Sequence, residues 1–324
     1  MLLSEAVEGY MMDSRINQSK ANIRIKEQQL SYFFKWAKEK GATEIHTVTV
    51  NTVRAFIVHL QSLKANELNP RKPTLDRPLS PLTVKGYLRV IKAFFNWCKR
   101  EGYLEGRDNP TDRVPRIKIP HYVISTFTPE QMAAMLDSCD VDTATGFRDY
   151  SLLLVLMDTG IRLSELCGLT LDHIHDGYLT VFGKGEKERE VGMGPTAARA
   201  LWKYVHLHRK PRLATEKRVF LAKGGAPLTA NGVTQLISRI GERVGIEGVR
   251  VSAHTFRHSF AKSWLQHGGE IYKLSLILGH SDIQTTQEYL KDFHSRDARV
   301  EHSQYSPVES NNLGKTRKEG KKKL

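Results

Sequence analysis

Residues 149–168 read Asp-Tyr-Ser-Leu-Leu-Leu-Val-Leu-Met-Asp-Thr-Gly-Ile-Arg-Leu-Ser-Glu-Leu-Cys-Gly. The apolar run from Ser151 to Met157 is far shorter than the ~18 residues a membrane span needs. It reads instead as a strongly apolar helix of a globular core, spanning 149–158. Gly160 breaks that helix, and a second helical stretch opens just after Arg162. An arginine therefore stands directly behind a glycine break between two helices.

Working outward, Thr128-Pro129-Glu130-Gln131 is a capping-box start, so a domain begins just before it. Downstream, 178–182 and 188–191 read as two strands around Gly183-Lys184-Gly185-Glu186-Lys187, a hairpin with a basic tip. Helices are expected over 195–208, 229–244, 253–267, 271–278 and 283–291. Upstream, Ser19 caps a helix carrying Ile23, Leu30, Phe33, Phe34 and Ala37. Thr49 or Asn51 opens another through Val53, Phe56, Ile57 and Leu60. Residues 64–79 hold Pro70, Pro73 and Pro78 and read as a loop. Ser80-Pro81 gives an N-cap with proline at the first helical position, and Val84, Leu88, Ile91, Phe95 and Cys98 follow on one face. The first third thus reads as a small helical domain without strands. Residues 109–120, with three prolines and no periodicity, read as a basic interdomain linker.

At 324 residues the chain is long enough for two domains. Cys98, Cys139 and Cys167 are too widely spaced for a disulfide framework or a cysteine zinc site. The N-terminal residues lack the basic and apolar regions of a secretion signal, which points to a cytoplasmic protein. The formal charge is +14, and it is unevenly spread. Residues 1–120 hold 21 Lys and Arg against 12 Asp and Glu, and the last ten hold six against one. The body between is near neutral. Excess charge at both ends fits a polyanion, nucleic acid before an anionic membrane.

No Gly-x-x-x-x-Gly-Lys-Ser/Thr loop is present, which argues against an ATP-driven machine. His254 and His258 have a zinc-compatible spacing, but no glutamate follows His254 and no third ligand is evident. No acidic cluster suggests a two-metal nuclease. What remains is dispersed: Arg162 after Gly160, His254 and Arg257 three apart on one helix face, His280 at a helix–helix corner, and Tyr289 nine residues later. Singly, each is more commonly a surface cation or a core tyrosine. Together they suit metal-free attack on a phosphodiester. A tyrosine hydroxyl can form a covalent intermediate, two arginines can neutralise the pentacoordinate transition state, and a lysine can protonate the departing 5′ oxygen.

Thr159-Gly160-Ile161-Arg162-Leu163-Ser164-Glu165-Leu166, the Gly183-Lys184-Gly185 hairpin, His254-x-x-Arg257-His258, Leu278-Gly279-His280-Ser281 and Tyr289 together resemble the motif set of the tyrosine recombinases, which include phage and transposon integrases and Xer-type enzymes. The resemblance spans nearly the whole chain. It implies a mainly α fold with a small β-hairpin in the catalytic domain, and two domains forming a C-shaped DNA clamp. The expected boundaries are a helical, SAM-like core-binding domain over 1–108, a basic linker over 109–122, a catalytic domain over 123–300 and a basic tail over 301–324.

Carried over residue by residue, the resemblance makes Tyr289 the nucleophile. It makes Arg162 and Arg257 the clamp on the scissile phosphate and Lys184 the general acid, with His254 and His280 completing the site. Glu165 takes the family's acidic position and orients basic residues. His258 is expected to be structural, Tyr272 to be core, and Tyr305 to lie in the tail. No cofactor and no metal are expected. The implied partners are double-stranded recombination sites and a homo-tetramer, with a second recombinase or a directionality factor as further candidates. The implied reaction is strand exchange through a Holliday junction, serving integration or excision of a mobile element. Xer-type dimer resolution and type IB topoisomerase-like relaxation stand as alternatives. The absence of an arm-type module before the core-binding domain favours a simple recombinase, whereas the 64–79 loop and the tail favour a mobile element.

Overall fold

The chain opens on α1 (Leu3–Asn17), a helix that no side-chain cap announces. The Glu5 carboxylate closes its first turn by accepting from the Leu2 N–H at 3.0 Å. The next helices begin on side-chain caps. The Ser19 hydroxyl accepts from the Asn22 N–H ahead of α2 (Lys20–Glu39), and Thr49 accepts from Thr52 ahead of α3 (Val50–Ser62). Ser80 accepts from Thr83 ahead of α4 (Pro81–Arg100). In this computed structural model residues 1–69, 73–104, 106–119, 124–183, 187–280 and 282–292 are described. The chain folds into two compact units, Met1–His121 and Tyr122–Leu324.

In the first unit α4 packs against α1, α2 and α3. Its apolar stripe, with Ile91, Phe94, Phe95 and Cys98 fully buried, meets Leu30 and Phe33 of α2 and Phe56 and Leu60 of α3. The rings interlock edge to face. Phe33 and Phe56 stand 4.9 Å apart at 68°, and Tyr10 and Phe94 stand 5.6 Å apart at 82°. Such pairs add about 0.5–1.5 kcal/mol to their burial.

The stretch read as a loop over 64–79 in fact pairs. β1 (Lys64–Ala65) and β2 (Leu75–Pro78) form an antiparallel ribbon. Every residue of β2 is exposed, so no apolar alternation marked it. The first unit also reaches into the stretch read as linker. Asn109 and Thr111 are each 1% exposed. The Asn109 amide donates to Asn96 Oδ1 at 2.8 Å, while its carbonyl oxygen accepts from the Thr111 N–H and hydroxyl. Residues 120–122 of the expected linker and the whole tail over 301–324 lie outside the described residues.

The second unit begins with α5 (Pro129–Asp137), capped by Thr128, and is organised around α6 (Ala144–Thr159). The apolar run puts Leu152, Leu153, Val155 and Leu156 at 0% exposure. Past Asp149 only the face of Tyr150, Leu154, Met157 and Asp158 is partly open, as a largely apolar helix of a core requires. After α7 (Leu163–Gly168) come β3 (Tyr178–Phe182) and β4 (Glu188–Gly192), paired antiparallel in unbroken register from Tyr178↔Gly192 to Phe182↔Glu188. Then follow α8 (Pro195–Lys203), prolonged by a π-helical turn over Tyr204–His208, α9 (Ala230–Arg243), α10 (Ala253–Gln266) and α11 (Ile271–Leu278). The short α12 (Gln284–Gln287) runs into a 3₁₀ turn over Glu288–Asp292. α6 packs against α8 and α10. A smaller apolar cluster, Ala261, Leu265, Leu274 and Leu278, takes in the ring of Tyr289. Mainly α with a small hairpin in the second unit is the architecture observed. No helix among the described residues is long and apolar enough to cross a membrane.

Candidate active site

Two helices of the second unit end in left-handed glycines, Gly160 after α6 (φ 60°, ψ 20°) and Gly279 after α11 (φ 60°, ψ 49°). A helix C-terminus leaves its last carbonyls without intrahelical donors and carries partial negative charge. Here arginines supply the donors. Arg257, from α10, donates through Nη1 to the Gly160 carbonyl at 2.9 Å and through Nη2 to the Leu278 carbonyl at 2.6 Å. Arg162 donates to the Gly279 carbonyl at 2.8 Å, and Arg189, from β4, donates through Nε to the Ile277 carbonyl at 2.7 Å. One helix end thus seats three guanidinium groups.

Glu165 holds two of them from beneath. Its side chain is 1% exposed. It accepts from Arg162 Nη1 at 2.9 Å and from the Arg162 backbone N–H at 2.7 Å. Both its oxygens also pair with Arg189, at 2.7 and 2.8 Å. Burial would raise its pKa, but the hydrogen bonds from Arg189 and the Arg162 N–H more than offset this and hold it at about 2. Glu165 is therefore a fixed anion, and Arg162 keeps its partly open side chain (34% exposed) aimed by it.

Arg257 is 3% exposed. Burial, then the charge of Arg162, pull its pKa down to about 10, which leaves it cationic at neutral pH. Its Nη2 also lies 3.0 Å from His280 Nε2. A guanidinium has no acceptor, so Nε2 of His280 must be unprotonated. Its proton then sits on Nδ1, which is 2.8 Å from the Thr286 hydroxyl and donates to it. Burial, followed by the charges of Arg257, Arg162 and Arg189, pushes His280 down to about 4, in accord with a neutral ring. Five N–H groups less these three bonds leave Nε–H and one Nη1–H of Arg257 without a protein partner among the described residues.

Tyr289 is 6% exposed and stands on the 3₁₀ turn after α12. Its hydroxyl lies 2.9 Å from His258 Nδ1. Burial raises its pKa, opposed by the charges of Arg257 and Arg162, so the resting hydroxyl keeps its proton. His254 is exposed, and its ring meets that of His258 edge to face at 4.1 Å. Burial and then Arg257 lower the pKa of His254. A Cβ built on Gly183 would stand 4.0 Å from Arg162 Nη1, so the β3 end of the hairpin lies beside this group.

The fold thus gathers Arg162, Glu165, His254, Arg257, His280 and Tyr289. Lys184 lies outside the described residues. His258, expected to be structural, touches the Tyr289 hydroxyl. Tyr272, expected in the core, is 64% exposed on α11. Arg189 and Thr286 were not singled out in the sequence. The signal for Arg189 was the strand's alternation, which puts it on the same inward face as buried Val191. Chemically, the group offers two fixed cations with free donors, a protonated tyrosine hydroxyl and neutral histidines. That combination can hold a tetrahedral anion beside a nucleophile.

Comparison with known proteins defines the class first. The phage integrase family model matches residues 125–296, and a phage integrase SAM-like domain matches residues 2–114. The chain belongs to the phage integrase family. The tyrosine recombinase XerD of Listeria monocytogenes is 33% identical over 216 residues, 65% of this chain and 71% of that protein. The tyrosine recombinase XerC of Oceanobacillus iheyensis is 32% identical over 279 residues, 84% of this chain and 86% of that one. Among solved structures, the Tn1549 transposon integrase in complex with a circular intermediate DNA matches at a TM-score of 0.73 and 20% identity, over 94% of this chain and 99% of that chain. The XerH site-specific recombinase bound to palindromic difH substrate matches at 0.68 and 19%, over 91% and 83%. At these identities the two structures speak for the fold alone.

Proposed function

We propose that this chain is a tyrosine-type site-specific DNA recombinase. Tyr289 attacks the scissile phosphodiester to form a 3′-phosphotyrosine, while Arg162 and Arg257 hold the non-bridging oxygens. Lys184 gives a proton to the departing 5′ oxygen, and His254 and His280 complete the site. Glu165 aims Arg162. The freed 5′ hydroxyls of two duplexes then attack each other's phosphotyrosine within a homo-tetramer, pass through a Holliday junction and repeat on the second strands. Bond energy stays in the covalent intermediate, so no nucleotide need be hydrolysed. A second recombinase or a directionality factor fits as a further partner, in the cytoplasm.

The observation that carries this reading is the convergence of Arg162, Arg257, His280 and Tyr289 around the ends of α6 and α11, with free guanidinium donors beside the hydroxyl. A basic stripe on α4 supports the DNA partner. Lys85, Arg89, Lys92 and Lys99 follow one another at helical spacing, and among the described residues none has an ion pair or side-chain hydrogen bond. The test is covalent trapping on DNA flanking the native gene. Tyr289→Phe should form no adduct while still binding the site; adducts formed by that variant would overturn the assignment.

For the biological role we favour integration or excision of a mobile element. Xer-type dimer resolution has a specific observation in its favour, the 32–33% identity to XerC and XerD. Mapping the recombined ends separates the two: a mobile element joins unlike flanks, whereas a resolvase acts between two copies of one site.

A further inference from the structure

Tyr289 must lose a proton to become a nucleophile, and none of the roles assigned so far receives it. His280 is committed through both ring nitrogens, to Arg257 and to Thr286. The Arg162 and Arg257 guanidinium groups have no acceptor. Glu165 has both oxygens taken by Arg162 and Arg189. The group that touches the hydroxyl is the imidazole of His258, whose Nδ1 is 2.9 Å from Tyr289 Oη, a full-strength hydrogen bond.

We propose that His258 is a further catalytic residue, whose Nδ1 holds the Tyr289 hydroxyl in the site and takes its proton as the phosphate is attacked. The inference rests on Tyr289 being the nucleophile. In the forward step the Oη–H bond breaks, Oη–P forms and P–O5′ breaks. The tyrosine proton goes to His258, and the 5′ oxygen is protonated from Lys184. Rejoining runs the same transfers backwards, so His258 returns the proton to Tyr289 as it leaves.

The surroundings fit an acceptor. His258 faces His254 and Arg257 of its own helix, His280 beyond α11 and Tyr289 of the 3₁₀ turn. Burial first, then His254, Arg257 and His280, bring its pKa to about 4. The resting ring is therefore neutral, and in the tautomer protonated on Nε2 the Nδ1 lone pair accepts from the hydroxyl. An arriving phosphodiester cancels the arginine charge that disfavours imidazolium, so the ring gains basicity when the substrate is in place. The exposed His254 ring against His258 lies on the solvent side of this pair.

The experiment is single-turnover adduct formation on nicked duplexes made from the DNA flanking the native gene, with DNA binding measured in parallel. His258→Ala and His258→Asn should both bind normally and form adduct roughly 100-fold or more slowly, the usual loss for a positioned base. Added imidazole should restore His258→Ala in proportion to its neutral form. Asparagine can keep a hydrogen bond to the hydroxyl but cannot accept a proton. Full activity in His258→Asn would therefore overturn the proposal and leave only positioning, and full activity in His258→Ala would overturn both. Should the alanine variant fail to fold, the asparagine variant decides. Adducts in Tyr289→Phe would instead remove the nucleophile assignment beneath the proposal, an outcome distinct from all of these.

Discussion

Glu165 and Arg189 face each other as a bidentate pair, Nη1 at 2.7 Å from Oε1 and Nη2 at 2.8 Å from Oε2, with the carboxylate 1% exposed. Removing one partner of a buried pair leaves an uncompensated charge, which costs about 3–5 kcal/mol. Arg162 still pairs with Glu165, so Arg189→Ala should fall near the lower end, about 3 kcal/mol by urea denaturation. It also frees the Ile277 carbonyl, loosening the corner that seats Arg162 and Arg257. Adduct formation should therefore drop with it. A variant within about 0.5 kcal/mol of wild type, the range of an ordinary surface change, would mean that the pair contributes nothing to stability.

Acid should destabilise the second unit in two windows. His258 and His280 are held at about 4 against 6.5 in the unfolded chain. A base with a lowered folded pKa carries no penalty above pH 6.5, and a growing one as pH falls towards 4, because only the unfolded state takes up the proton. Glu165 is held at about 2 against 4.5. Its contribution is complete above pH 4.5 and is lost as pH falls towards 2, about 3 kcal/mol in all. Unfolding free energy measured from pH 7.5 down to 3 should decline in both windows. His258→Asn should roughly halve the decline in the upper one, His280 keeping the rest, and leave the lower one unchanged.

These two relationships show what could be read along the chain and what could not. Ser19, Thr49, Ser80 and Thr128 each cap the helix their side chain predicts, because a cap is a local contract between a hydroxyl and an N–H three residues on. Helix α1 has no such signal, and β2 is exposed along its whole length, so neither left a pattern. Arg162, His254, Arg257, His280 and Tyr289 were legible as motifs. Their seating on the carbonyls of Gly160, Leu278 and Gly279 was not, since a backbone carbonyl has no letter. For a similar reason His258 gave no sign of touching the Tyr289 hydroxyl. It follows Arg257 by about 100° around the helix, so it points elsewhere, and only the return of the chain through α12 brings Tyr289 to it.

Gly160 and Gly279 should resist substitution for different reasons than an open glycine. At Gly160 a Cβ would meet Phe260 Cδ1 at 2.5 Å, and at Gly279 it would meet Arg189 Cδ, Nε and Nη1 at 3.0 Å, both at φ +60°. Left-handed backbone alone costs alanine about 1–2 kcal/mol, and overpacking adds about 1–3. Gly160→Ala should thus lose roughly 2–5 kcal/mol. Gly177→Ala is the control: φ is +78° but nothing lies within 4 Å, so it should lose only the backbone share. Equal losses at both positions would show that Phe260 gives way freely.

The α4 stripe makes a prediction that needs no catalysis. Each lysine or arginine that neutralises a phosphate contributes about 0.9 to the slope of log K against log salt. Lys85, Arg89, Lys92 and Lys99 have no protein partner to lose among the described residues, so truncating them leaves the core intact. Lys85→Ala and Arg89→Ala should each lower the slope of DNA binding by about one and weaken specific and non-specific duplexes alike. Melting temperature should stay within a degree or two of wild type, because surface changes of this kind seldom exceed about 0.5 kcal/mol. An unchanged slope in both variants would turn the stripe away from the phosphate backbone and leave the solvent as its only partner.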